Sequence, residues 1–446
     1  MPVGKIIISG ALAEKLSLAA VPEIKVRAGN ITVISKLIID RREDRLIYMV
    51  SPELAKKLYL KKKNRLHIRY DLLNKVLHIG PTIGILAASI PNQPEFDPKS
   101  TQAELIYLSK IGQKMPGQIF IFTPHGINWR EKTVIGYNFK PTTPQHGIWV
   151  ASTYPLPDVV YDRISSRRSE IKHRKTRERL KKTAYYFNPS FLNKWEVHEI
   201  LISNPELHPY LPETRILSLY NLEQMLNKYK VLYIKPVDGS LGRKIIRLAG
   251  KEDDKKLHYT VYDKKHFKSQ ALNPADFIRK TSKVREKKAY IIQQGIDMAD
   301  YKGSIFDLRI IYQKNGQGNW QISKKFVRVA PKGSGISNLS SGGKVQLSKK
   351  VMHYIFRSRD LIAEKNREIE NLCYNVATTL EGSGKGIYGE LGLDIGIDKK
   401  GHLWLIEVNS KPRKTTETEL SMTIVKNTFK RPLEYAAYLA GFKISQ

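Results

Sequence analysis

The stretch Leu403–Pro412, LWLIEVNSKP, decides the reading of this chain. Its Trp, Leu, Ile and Val describe a buried β-strand, yet it carries a glutamate and an asparagine. Residues i and i+2 of a strand share a face, so Glu407 and Asn409 project together while Ile406 and Val408 point the other way. An ionised carboxylate on a core strand is costly unless it is paired or holds a metal. A cation is therefore expected beside Glu407.

The strand is the second arm of a hairpin, YGELGLDIGIDKKGHLWLIEVNSKP (388–412). Leu393, Ile395 and Ile397 alternate with Asp394, and Asp398-Lys-Lys-Gly401 supplies the turn. Closing it brings Asp394 close to Glu407 and Asn409. Three oxygen-bearing side chains suit Mg²⁺, a hard cation that takes oxygen ligands together with substrate phosphates.

Four further stretches carry chemistry. In VLYIKPVDGSLGRKIIRL (231–248) a strand ends at Lys235, and Gly239-Ser240-Leu241-Gly242 makes a flexible loop before the next strand. Such a loop either folds its N–H groups over phosphates, with the lysine as point charge, or is an ordinary hairpin. FLNKWEVHEIL (191–201) begins a helix at Lys194, a phosphate contact or a surface lysine. AYIIQQGIDM (289–298) is an apolar strand ending in Gln293 and Gln294, a place to read an adenine edge or a plain turn. IFDLRIIYQ (305–313) alternates strictly, putting Asp307 and Arg309 on one face; the pair is either structural or an anion clamp. Arg328 follows on a strand and Asn338 in a Ser/Gly-rich loop. There is no Walker loop and no G-x-G-x-x-G entering a helix, so a nucleotide site here is of neither P-loop nor Rossmann kind.

Taken in order, Lys194, Lys235 with its glycine loop, the Gln-Gln strand end, Asp-Leu-Arg, Arg328, Asn338, and Asp394 with Glu-x-Asn resemble the ATP-grasp superfamily. PDVVYDRI (157–164), LPETRILS (211–218) and NLSSGGKV (338–345) are similar to the endospore coat-associated YheC/YheD group within it. The resemblance implies two α+β subdomains clamping ATP, within a multidomain α+β and α/β chain. Lys194 and Lys235 would contact the α- and β-phosphates. Gly239, Ser240 and Gly242 would form the lid, Gln293 and Gln294 the adenine hinge, and Asp297 would lie near the ribose. Asp394, Glu407 and Asn409 would hold Mg²⁺, while Arg309, Arg328 and Asn338 would serve catalysis at the γ-phosphate and acceptor. Most members are carboxylate–amine ligases working through an acyl-phosphate. The hinge departs from the commoner Gln-Glu pair, and the acceptor has no family-wide motif.

The rest of the chain frames this site. Residues 1–80 hold short Ile- and Val-rich runs, a β-rich module in which Ser51 caps a helix begun by Pro52. Strand–helix–strand order from Ile83 to Pro124 indicates an α/β unit over 81–187, and 188–446 forms the ATP-grasp region. Seventy-six Lys and Arg against 42 acids give +34, which favours an anionic partner. The most basic run, SSRRSEIKHRKTRERLKK (165–182), reads as a solvated linker helix anchored by Ile171 and Leu180, or as a phosphate-contacting one. It has few aromatics for stacking on bases, which weighs against nucleic acid. An acidic peptide or polymer acceptor, and spore-coat proteins, are the alternative partners. A coat scaffold that keeps the fold without catalysis is the main rival function. One cysteine excludes an internal disulfide, no apolar run reaches the ~20 residues of a membrane helix, and a cytoplasmic, coat-associated location is expected.

Overall fold

The computed structural model describes residues 1–61, 64–91, 100–143, 146–239, 243–251, 254–263, 266–286, 288–332, 343–414 and 421–443. These residues build four six-stranded sheets in chain order. The first runs Tyr48–Val50, Lys5–Ser9, Ile31–Asp40, Glu23–Ala28, Val76–Gly80 and His67–Asp71 from edge to edge. The short helices Gly10–Lys15 and Pro52–Lys57 cover one face, burying Leu12 and Leu54. Ser51 caps the second helix, its hydroxyl accepting from the Leu54 amide, and Pro52 begins it because a proline there loses no helical bond.

The second sheet has Thr82–Leu86 at its centre, parallel to Gln118–Asn128 on one side and Val159–Asp162 on the other. Both faces are buried, which is why these strands read as unbroken apolar runs rather than alternating ones. Leu105, Leu108 and Ile111 of helix Thr101–Gly112 cover one face. They share it with Val425, Phe429 and Leu433 from Met422–Leu439, a helix that returns from the far end of the chain. The third sheet, from Thr214 to Gln294, is antiparallel where its strands pair and is backed by Leu219–Lys228 and Pro274–Lys280. The fourth joins Lys344–Leu347, Trp320–Val329, Ser304–Lys314, Glu390–Ile397 and Leu403–Asn409, with Asp300–Tyr301 alongside. Helices Lys194–Ile202, Ser348–Phe356 and Arg359–Gly382 pack on one face of it.

The basic run differs from its expectation. It breaks at His173 into Arg167–Lys172 and Arg174–Lys181. Leu180 is fully buried, but Ile171 is 75% exposed, and the inward groups are Glu170 and Arg177. The reason lies on the neighbouring strand: Asp162, wholly buried, takes both Nε and Nη2 of Arg177 at 3.0 Å. A buried carboxylate needs a charged partner, and it draws that partner from a helix that otherwise looks solvent-facing. No helix among the described residues is long and apolar enough to cross a membrane.

Candidate functional site

The hairpin of the opening stretch forms as expected. Asp398 shapes its turn, Oδ1 accepting from the Lys400 and His402 amides, and Gly401 adopts φ +81°. In register, Asp394 faces Glu407 and Gly392 faces Asn409, with a bulge after Asp394. Residues directly opposite share a face with Cα atoms ~4.5–5.5 Å apart, so the three oxygen donors sit together. Ser304–Lys314 lies on the other side of Asp394, placing Arg309 opposite it and Asp307 opposite Arg328. Phe306, Leu308 and Ile310 enter the core on the reverse face.

One charged row therefore crosses four strands. Arg328 grips Asp307 with Nε and Nη2 at 2.7 and 2.8 Å and reaches Asp394 Oδ2 at 2.9 Å. Arg309 holds the other oxygen of Asp394. Burial raises the Asp394 pKa, but the two guanidinium groups outweigh it and keep the carboxyl below its usual value. Gly392 leaves the room they need: a Cβ there would stand 3.0 Å from Arg309 Nη2 and 2.8 Å from Pro412 Cβ.

Beside this row a cleft opens between the third sheet and Leu405–Val408, and Glu407 is the member of the row that lines it, together with Lys194, Lys235 and Gln293. Lys194 spans the gap from the first turn of its helix, with Nζ 3.0 Å from Glu407 Oε1 and 2.7 Å from the Gly239 carbonyl. This answers the charge expected beside Glu407: the cation that pairs with it is Lys194. Gly239 closes a tight turn, since a Cβ would meet Pro236 Cγ at 2.3 Å. Lys235 Nζ donates to Gln293 Oε1 at 2.5 Å, and Gln293 Nε2 donates to Thr214 Oγ1 at 3.1 Å. Burial drives the Lys235 ammonium down to about 8 despite the nearby Glu407. Val197, Leu201, Leu211 and Leu405 give the cleft an apolar wall, with His198 among them.

The structure thus brings together Lys194, Lys235, Gly239, Gln293, Arg309, Arg328, Asp394, Glu407 and Asn409. Gln294 points away from the cleft, its Oε1 accepting from the Glu213 amide. Asp297 is largely exposed and pairs with Lys399 at 2.9 Å in the hairpin turn. Ser240, Gly242 and Asn338 lie outside the described residues. Thr214, His198 and Gly392 were not singled out from the sequence. Thr214 sits within the quoted LPETRILS motif, but only the pairing of its strand with Tyr290–Gln294 reveals its contact.

Among the described residues no three His, Cys, Asp or Glu side chains cluster as a metal site. The available donors are two carboxylates and an amide, all hard oxygens and cross-strand neighbours. They fit Mg²⁺ by type, with phosphate oxygens completing its shell. Arg309, Arg328 and Lys194 pair with these carboxylates.

Beyond Asn409 the chain drops two lysines into the interior. Lys411 Nζ contacts Asp162 Oδ1 at 2.8 Å and Glu170 Oε1 at 2.6 Å, beside Arg177. Lys414 Nζ contacts Glu390 Oε2 at 2.7 Å. Glu390 also accepts from Arg163 at 2.8 Å, and Arg163 bonds Glu104 as well. Each group holds two acids and two bases. Both tie the segment after the Glu-x-Asn strand to the second sheet.

Comparison with known proteins gives the family. Residues 183–439 match the family described as YheC/D like ATP-grasp. The endospore coat-associated protein YheD of Bacillus subtilis (strain 168) is 31% identical over 409 residues, 90% of this chain and 87% of that protein. YheC of the same organism is 27% identical, over 76% of this chain and 94% of that protein. Among solved structures, the VanG D-Ala:D-Ser ligase from Enterococcus faecalis aligns with a TM-score of 0.47 at 11% identity, over 80% of this chain and 99% of that one. Matched over residues 183–439, the chain belongs to the YheC/D-like ATP-grasp family and has the ATP-grasp fold.

Proposed function

We propose that the protein binds Mg-ATP between its third and fourth sheets and is an ATP-dependent carboxylate–amine ligase associated with the endospore coat. The observation carrying this reading is the bridge made by Lys194, which reaches Glu407 on one wall and the Gly239 turn on the other. In this reading Lys194 and Lys235 bind the α- and β-phosphates beside the turn at Gly239. The base occupies the apolar wall near Gln293. Asp394, Glu407 and Asn409 hold Mg²⁺, which screens phosphate charge when bound. Arg309 and Arg328, fixed by Asp307 and Asp394, neutralise charge on the transferring phosphoryl group.

The acceptor carboxylate attacks the γ-phosphorus, ADP leaves, and an acyl-phosphate forms. An amine then displaces phosphate to give the amide. Residues 188–446 act as the ATP-grasp unit, behind an α/β unit over 81–187 and the module over 1–80. The net charge suits an acidic peptide or polymer as acceptor. Coat association rests on the names of the YheD and YheC relatives.

Titration calorimetry of ATP with and without Mg²⁺ tests the reading. Wild type should bind with metal dependence, and Lys235→Ala should bind at least ~10-fold more weakly, the loss of one charge-assisted contact. Glu407→Gln frees Lys194, so it should keep metal-free binding while losing the gain from Mg²⁺ and all metal-dependent turnover. Retained metal-dependent turnover in folded Glu407→Gln protein removes the metal assignment. Absence of ATP binding to wild type removes the whole reading and leaves a coat scaffold.

A further inference from the structure

Gly147–Pro155, GIWVASTYP, is the outer strand of the second sheet, and among the described residues it pairs on one side only, to Thr133–Pro141. Sheet edges present unpaired N–H and C=O groups, and proteins protect them with short strands or charged side chains. The other described edge strands follow that rule. Tyr48–Val50, Tyr185–Phe187 and Thr214–Ile216 are three residues long, while His67–Asp71, Phe267–Ala271, Lys344–Leu347 and Leu403–Asn409 each carry a charge. Gly147–Pro155 is the longest of the eight and has no charged residue, in a chain that is 26% charged. It also displays apolar side chains: Ile148 is 51% exposed and Val150 42%.

We infer that this strand pairs with the same strand of a second copy. The pair is antiparallel about a two-fold axis at Ala151, joining two six-stranded sheets into one of twelve. A two-fold interface must complement itself, and a charged partner position would face its own like. Here Val150 falls opposite Ser152 of the other copy, Trp149 opposite Thr153, and Ala151 opposite itself, so no like charges meet. Two chains of +34 repel at long range, so the uncharged strand is where two copies can approach.

Sedimentation velocity of the full chain at 50 mM and 500 mM salt tests this. Wild type should be dimeric, and more tightly so at high salt, because screening relieves the repulsion. Val150→Lys places a charge at an exposed edge position and should weaken dimerisation by about tenfold or more, with ATP binding unchanged. Ala151→Cys should form an intermolecular disulfide under mild oxidation, because facing strand residues lie within the ~4.4–6.8 Å Cα span of that bond. The native thiol, Cys373, is fully buried and gives little background. A wild type that stays monomeric at high salt overturns the inference, including the case where the strand takes a different partner. So does a Val150→Lys protein that dimerises as wild type does, or an Ala151→Cys protein that fails to crosslink.

Discussion

On the proposed reading, Lys235 makes the site sensitive to alkaline pH. With its ammonium at about 8 in the free protein, the charge that attracts phosphate is lost as pH rises through that value. Bound phosphates would stabilise the charged form, so ATP affinity should be flat below pH 8 and fall above it, by up to ~10-fold per unit. Lys235→Arg keeps its charge and should remove this limb; calorimetry between pH 7 and 9.5 reads the difference, and an unchanged slope contradicts the assignment. Linkage to folding has the opposite sense. The folded pKa lies below the unfolded value, so between about 8 and 10.5 the unfolded chain binds the extra proton and this residue's contribution to stability rises with pH. The residues legible in the sequence were those that alternation places on one strand face, such as Glu407, Asn409, Asp307 and Arg309. Thr214 and His198 were not, because their roles come from neighbours remote in the chain.

At the scale of elements, the charged row depends on one small residue. Gly392→Ala puts a methyl group against Arg309 and Pro412, and the cost is about 1–3 kcal/mol of overpacking. Part of this should appear as weaker ATP binding, because Arg309 has to move off Asp394. Denaturant unfolding and calorimetry on the same variant separate the two effects. The buried groups after Asn409 are a second test. Arg163→Met leaves Glu104 without its charge partner in a buried setting, and removing one member of such a pair costs about 3–5 kcal/mol. An equilibrium unfolding curve within 1 kcal/mol of wild type, roughly the range of a solvent-exposed pair, would contradict its structural importance. The basic run that supplies Glu170 and Arg177 read as solvated because helical composition does not reveal a buried partner on another strand. The hairpin 388–412 was legible because its alternation, turn and strand lengths are all local.

Across the whole molecule the positive charge is spread rather than gathered. Residues 1–80 hold 16 Lys and Arg against 7 acids, and residues 81–187 hold 16 against 8. The sequence could report the excess but not its distribution over a folded surface, where several cations turn inward to pair with acids. Sequence reading also stopped short of the helix Met422–Leu439, whose apolar stripe gives no hint of what it covers. Without that helix, Ile83, Ile85, Ile119 and Ile121 lose part of their cover. A protein truncated after residue 187 should therefore fail to fold on its own, and dispersed amide proton resonances from that fragment would contradict this.

The return of that last helix also bears on synthesis. Some 240 residues separate Phe187, the last residue of the second sheet, from Val425, and at ~5–20 residues per second the ribosome needs about 12–50 s to make them. Throughout that interval one face of the second sheet is covered only in part, by Thr101–Gly112. The nascent chain is thus an obvious client for a chaperone that shields apolar surface until translation ends.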